Sequence, residues 1–183
     1  MRLLKNGEFL EDTWLRLRDD EAVPQGADVI VGIERLRREF GTLMLHYGRL
    51  AVALPNDRPV EDVVDYLEAL DAVLLDFPAF TDGRAYSQAR QLRSTHGYRG
   101  ELRASGNVLP DQLAFMRQCG IDTFEVNGRF DRETWQRAAT AMTLTYQRGY
   151  LPERGFAPAD VWSEREGSSD DTLRSDFKEV RGA

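Results

Sequence analysis

Val73-Leu-Leu-Asp-Phe77 runs directly into Pro78-Ala-Phe-Thr-Asp-Gly-Arg-Ala-Tyr-Ser-Gln-Ala-Arg90. The first part reads as a buried strand. In the second, Ala85, Ala89 and, further on, Leu92 mark one face of a helix that Gly97 stops. Polar residues therefore cluster where a strand hands over to a helix. In α/β proteins that handover is where ligands bind.

The same rhythm extends on both sides. Leu50 to Leu54 is a strand candidate closed by Pro55-Asn-Asp-Arg-Pro59. Val60, Val63, Val64, Leu67 and Leu70 then share one face of an amphipathic helix. Downstream, Glu101 to Ala104 reads as a strand, and Leu109, Leu113 and Met116 as a short helix closed by Gly120. Thr123 to Val126 is the next strand. Asp131 caps a helix carrying Trp135, Ala138, Ala139, Met142 and Tyr146. A strand–helix unit recurring about every 25 residues is the spacing of βαβ units, so the strands run parallel. The pattern leaves open whether the sheet stays open or curls like part of a (β/α) barrel.

Upstream, Asp28 to Gly32 is a short strand, and Ile33, Leu36, Phe40, Leu43 and Leu45 follow roughly helical spacing. Pro24-Gln-Gly26 is a loop. Residues 2–18 alternate and contain Asn6-Gly7, a strong hairpin signal. This predicts an N-terminal β-hairpin from Leu3 and Leu4 to Phe9 onward, whose long second arm either continues or begins a helix near Trp14. The expected organisation is a hairpin and linker over 1–26, an α/β domain with a mainly parallel sheet over 27–150, and a disordered tail over 151–183. The tail is rich in Pro, Gly, Ser and charge, with Trp162 and Phe177 as anchors for docking.

An apolar fraction of 42% with 30% charged residues is that of a soluble globular protein. The net charge of -7 argues against nucleic acid, whose phosphates require a basic face. It suits a basic protein partner or simple solubility. With Cys119 as the single cysteine, an intrachain disulfide is impossible and a thiolate-held cluster is not expected. The thiol reads as buried and structural. The residues after Met1 hold no apolar leader and no apolar run is long enough to span a bilayer, so the chain reads as cytoplasmic.

In a parallel sheet the strand C-termini share one edge. That edge should gather Asn56 and Asp57, then Asp76, Thr81, Asp82, Gly83 and Arg84, then Ser105, Gly106 and Asn107, then Glu125 and Asn127. Asp82 or Thr81 is placed to cap the helix near Gly83. The amides there, with Arg84 and Arg90, would make an anion site beside Arg103 and the Ser105-Gly-Asn107 turn. The plainer reading makes Asp82 and Ser105 helix caps and pairs the arginines with Asp76 and Glu125. Those two carboxylates are also weighed as an acid–base pair. Tyr86 and Ser87 lie one turn into the helix, Tyr86 as a packed aromatic. His46 and His96 stand alone near helix ends, with no second histidine at ligand spacing, so no metal is expected. No glycine-rich phosphate loop or flavin motif is present, and no cofactor is expected.

Phe77-Pro-x-Phe-Thr-Asp-Gly-Arg-Ala-Tyr-Ser-x-Ala-Arg90 and Tyr98-x-Gly-Glu-Leu-Arg-Ala-Ser-Gly-Asn-Val-Leu-x-Asp-Gln112 resemble an uncharacterised bacterial family, domain of unknown function 934. Leu54-Pro-Asn-Asp57 and the Phe115–Asp122 segment are similar to it too. Members carry the label of an oxidoreductase involved in sulfite reduction, which rests largely on their being encoded beside the sulfite reductase haemoprotein. The resemblance names no catalytic residue. Its recurrent positions map to Asp82, Gly83, Arg84, Tyr86, Ser87, Arg90, Arg103, Ser105, Gly106, Asp111 and Gln112. Asn107 stands where the family often has Asp, which removes a carboxylate. The resemblance implies an accessory protein of assimilatory sulfite reduction with the haemoprotein as partner. The alternative is a small α/β enzyme binding an oxyanion or phosphate-bearing substrate at the strand edge.

Overall fold

The computed structural model describes residues 2–140. Met142, Tyr146 and the tail over 151–183, with Trp162 and Phe177, lie outside the described residues.

Eight strands form one sheet. They are β1 (Arg2–Lys5), β2 (Glu8–Glu11), β3 (Leu15–Arg16), β4 (Val29–Gly32), β5 (Leu50–Leu54), β6 (Ala72–Phe77), β7 (Glu101–Gly106) and β8 (Thr123–Val126), in the order β2-β1-β8-β7-β6-β5-β4-β3. From β3 to β8 every neighbour is parallel. The hairpin β1–β2 turns at Asn6 and Gly7, both at positive φ, and adds antiparallel to β8. It is thus built into the same sheet as the strand–helix units. The second arm of the hairpin does not become a helix near Trp14: it continues to β3, which extends the parallel sheet beyond β4.

The helices are α1 (Ile33–Leu43), α2 (Glu61–Val64), α3 (Arg84–Arg90), α4 (Leu113–Gln118) and α5 (Arg132–Thr140). The amphipathic helix expected over Val60–Leu70 is broken into α2 and a 3-10 turn at Leu67–Ala69. Val60, Val63, Leu67 and Leu70 are nonetheless all buried. Apolar periodicity dictates which face meets the sheet. It does not dictate an unbroken hydrogen-bond ladder, which the β-branched pair Val63-Val64 disfavours. Leu45, expected on the α1 face, lies past the helix and is exposed.

The two faces of the sheet differ. Val31, Val52, Leu75, Leu102 and Phe124 belong to the main core together with the buried helix residues. On the other face Ile30, Ala51, Ala72 and Leu74 form a separate small cluster with Trp14 lying against it. Next to these, the side-chain alternation of strands puts Glu101, Arg103 and Ser105 of β7 and Thr123 and Glu125 of β8 on that inner face.

The inner face is concave. Arg16 of β3 pairs with Glu125 of β8. Five strand spacings separate these two strands, which would hold them roughly 24 Å apart in a flat sheet, well beyond the reach of an arginine. Their contact requires the sheet to curl into a half-barrel, which settles the question left open by the sequence pattern. The 12–16 segment crosses the hollow. Its passage is possible because the floor beneath it carries alanines: Ala51, Ala53 and Ala72 leave room for the indole of Trp14.

Candidate functional site

Two groups of polar residues stand out, one at the strand C-terminal edge and one inside the half-barrel. At the edge, the β6–α3 loop places Asp82 before α3. Asp82 Oδ1 accepts a hydrogen bond from the Arg84 amide at 3.2 Å, so Asp82, rather than Thr81, satisfies a free amide of the helix start. The Arg84 guanidinium also closes on Asp82, Nε to Oδ1 at 3.0 Å and Nη2 to Oδ2 at 2.6 Å. This hydrogen bonding, outweighing desolvation, holds the Asp82 carboxyl far below the usual carboxylate range and raises Arg84. Arg84 is therefore matched locally by Asp82. Ser87 and Arg90, later in α3, are exposed.

Gly106 ends β7 at a φ of +90°, a conformation side chains avoid. A Cβ there would come within 2.7 Å of the Phe77 carbonyl and 2.9 Å of Asp76 Oδ1. The Gly106 position is thus fixed by the close approach of β6, and the Asn107 amide donates to the Phe77 carbonyl at 2.7 Å. Asp76 is half-buried and stands opposite Ser105 in the ladder. Ser105 is a residue of β7 and not a helix cap: its hydroxyl points to the Leu75 carbonyl at 3.4 Å.

An aromatic ladder rises beside this loop. Phe77 is buried and meets Tyr86 edge-on at 5.1 Å, and Tyr86 meets Phe115 at 4.8 Å. Burial raises the Tyr86 hydroxyl, with smaller contributions from Cys119 and Asp111. Phe115 on α4 is 50% exposed and Phe80 in the loop is 59% exposed. The ladder therefore runs from the core to the solvent, where two phenylalanines lie open.

Inside the half-barrel, the Arg103 side chain is 1% exposed. It donates to Asp12 Oδ1 at 3.1 Å and twice to Glu101 Oε1, at 3.2 and 3.1 Å, and lies 3.9 Å from Glu125. Lys5 closes the network on Glu101 at 3.0 Å. Trp14 sits between two guanidinium groups, with Arg49 4.7 Å and Arg103 5.6 Å from its ring. The two glutamates titrate in opposite directions. Glu101 is desolvated, yet Lys5 and Arg103 outweigh that and lower it. Burial dominates at Glu125 and raises it despite Arg16 and Arg103. Glu125 Oε2 and Thr123 Oγ1 are buried without a hydrogen-bond partner.

The structure thus separates the predicted site residues. Asp82, Gly83, Arg84, Tyr86 and Ser87 lie in the loop and first turn of α3 at the outer edge and Arg90 at the far end of α3, whereas Arg103 and Glu125 are interior. Of the expected pairings of the arginines with Asp76 and Glu125, Arg103 does lie against Glu125 at 3.9 Å, whereas Arg84 pairs with Asp82. Asp76 and Glu125 occupy the same face two strand spacings apart, roughly 10 Å, with Ser105 between them. At that spacing they do not form a contacting carboxylate pair. Cys119 is buried, and burial raises its thiol. His46 is buried against the Leu43 carbonyl, which is a structural role. Among the described residues, no group of His, Cys, Asp and Glu could hold a metal ion. No helix among them is long and apolar enough to cross a membrane.

Asp12, Trp14, Arg16, Lys5 and Glu101 complete the interior network but were not singled out from the sequence. A signal existed: Asp12, Trp14 and Arg16 alternate, as do Glu101, Arg103 and Ser105 in a strand whose other face is apolar.

A family model described as "Bacterial protein of unknown function (DUF934)" matches residues 51–156. No curated protein matches the chain.

Proposed function

The chain belongs to that bacterial family of unknown function, and on this premise we propose that it is an accessory protein of assimilatory sulfite reduction. In this reading it docks on the sulfite reductase haemoprotein and aids electron or substrate delivery. The observation that carries an interaction role is the aromatic ladder Phe77–Tyr86–Phe115, which ends in exposed Phe115, with Phe80 exposed in the adjoining motif. Aromatic anchors beside arginine are the composition of binding hot spots. Asp82 holds Arg84 in place, so a partner meets a preorganised surface and little side-chain ordering is needed on binding. The acidic net charge suits a basic docking surface.

Affinity capture of the full chain from sulfate-grown cells, with an absorption spectrum of the product, tests this. Co-purified haem absorbance that disappears with Phe115→Ala is expected, as is a requirement for sulfide or cysteine when the gene is deleted. Normal growth of the deletion strain on sulfate as sole sulfur source would sink the reading. Turnover of a small anion by the isolated chain would replace it with an enzymatic one.

A further inference from the structure

A cavity of about 500 Å³ opens on the other flank of the sheet, where the hairpin meets the β8–α5 loop. Its lining includes Arg2, Phe9, Phe130, Arg132 and Trp135, and it shares no residue with the docking edge. The volume is that of a small-molecule site. Its walls are aromatic: Phe130 and Trp135 pack edge-on at 5.9 Å, and Phe9 comes from β2. The charge it presents is positive. Arg132 is held over the Phe9 ring at 5.0 Å, and neither it nor Arg2 makes an ion pair among the described residues. Nearby acids do not cancel them. Asp131 accepts the Thr134 amide at 2.7 Å as the α5 cap, and Glu11 stands opposite Arg2 in the ladder without pairing to it.

Trp135 is 1% exposed, and its indole N–H has no acceptor in the protein. A buried N–H without a partner is costly, and buried tryptophans ordinarily find one. That nitrogen has almost no accessible surface, so the polar contact the cavity offers an anionic group comes from the two arginines.

We infer that this cavity binds a small aromatic anion, its ring between Phe9, Phe130 and Trp135 and its carboxylate, sulfonate or phosphate group toward Arg2 and Arg132. The arrangement asks for both properties at once. An inorganic anion leaves the aromatic walls in water, and a neutral ring leaves two guanidinium groups unmatched.

The test is a fluorescence titration of the full chain with anilinonaphthalene sulfonate and with phenylnaphthylamine, its uncharged counterpart. The sulfonate should bind about tenfold more tightly, the margin of one charge-assisted contact. Arg132→Gln, an exposed substitution, should shrink that preference to about twofold or less. Circular dichroism identifies variants that keep the fold. Equal affinity for both dyes, no binding by either, or an undiminished preference in folded Arg132→Gln would each overturn the proposal.

Discussion

The chain holds two arginine–carboxylate systems of the same chemistry in opposite settings. Arg84 and Asp82 lie at the surface, two residues apart where the β6–α3 loop enters α3. Arg103 lies in the closed half-barrel and is matched to Asp12, Glu101 and Glu125 from three other places in the chain or along its own strand. In water the first pair is screened and contributes little to stability. In the interior a guanidinium is tolerated only when its donors are satisfied, and removing one partner strands the others. The edge is therefore free to serve recognition, whereas the interior is committed to holding the curl.

The largest expected effect follows from that commitment. Arg103→Met leaves Asp12, Glu101 and Glu125 without their shared cation and should cost about 3–5 kcal/mol. Thermal denaturation should show a fall of roughly 6–20 °C. A change of a degree or two would mean that the interior pair behaves like the edge pair and would break the contrast. Trp14→Ala comes next. It empties the space above Ala51 and Ala72 and removes the ring between Arg49 and Arg103. A loss of about 2–4 kcal/mol in denaturant unfolding is expected, at the lower end for a large aromatic because Trp14 is only half-buried.

A smaller effect separates the two interior glutamates by pH. Glu101 is lowered in the folded chain, so its contribution is present above the unfolded carboxyl pKa and is lost as pH falls through the folded value. Glu125 is raised, so its ionisation works against folding above the folded value, and that cost is relieved as pH falls. The melting difference between wild type and Glu101→Gln should thus grow from pH 4 to pH 7, and that between wild type and Glu125→Gln should shift the other way. Parallel curves would remove the distinction. The smallest effect on stability belongs to the edge. Arg84→Ala should move the melting temperature by less than about 2 °C. The same substitution should abolish complementation in the deletion strain if the edge is the docking surface.

Sequence reading reached the edge more fully than the interior for a physical reason. The strand–helix handover from Val73 to Arg90 is a local pattern, and Asp82 meets Arg84 two residues away, so one short window holds both partners. The apolar run Leu50–Leu54 and the segment Thr123–Val126 likewise marked strands whose bounds the structure reproduces. The interior pairs join residues 91 and 109 positions apart, Asp12 with Arg103 and Arg16 with Glu125. Periodicity contains no such information until the strand order is known. Curvature was hidden for the same reason: it is expressed only where β3 meets β8. Gly106 shows the intermediate case. Its place in a polar turn was legible, but its need to lack a side chain comes from the Phe77 carbonyl of the neighbouring strand.

The ladder that joins β1 to β8 pairs Arg2 with Val126. During synthesis at about 5–20 residues per second, the hairpin would wait roughly 6–25 s for the ribosome to deliver its partner strand. For that interval the apolar side chains of Leu3, Leu4 and Phe9 wait for the strand that β1 finally pairs with. Completion of the fold is therefore a late, long-range closure, the kind of step that slows folding and exposes an unpaired strand to other chains.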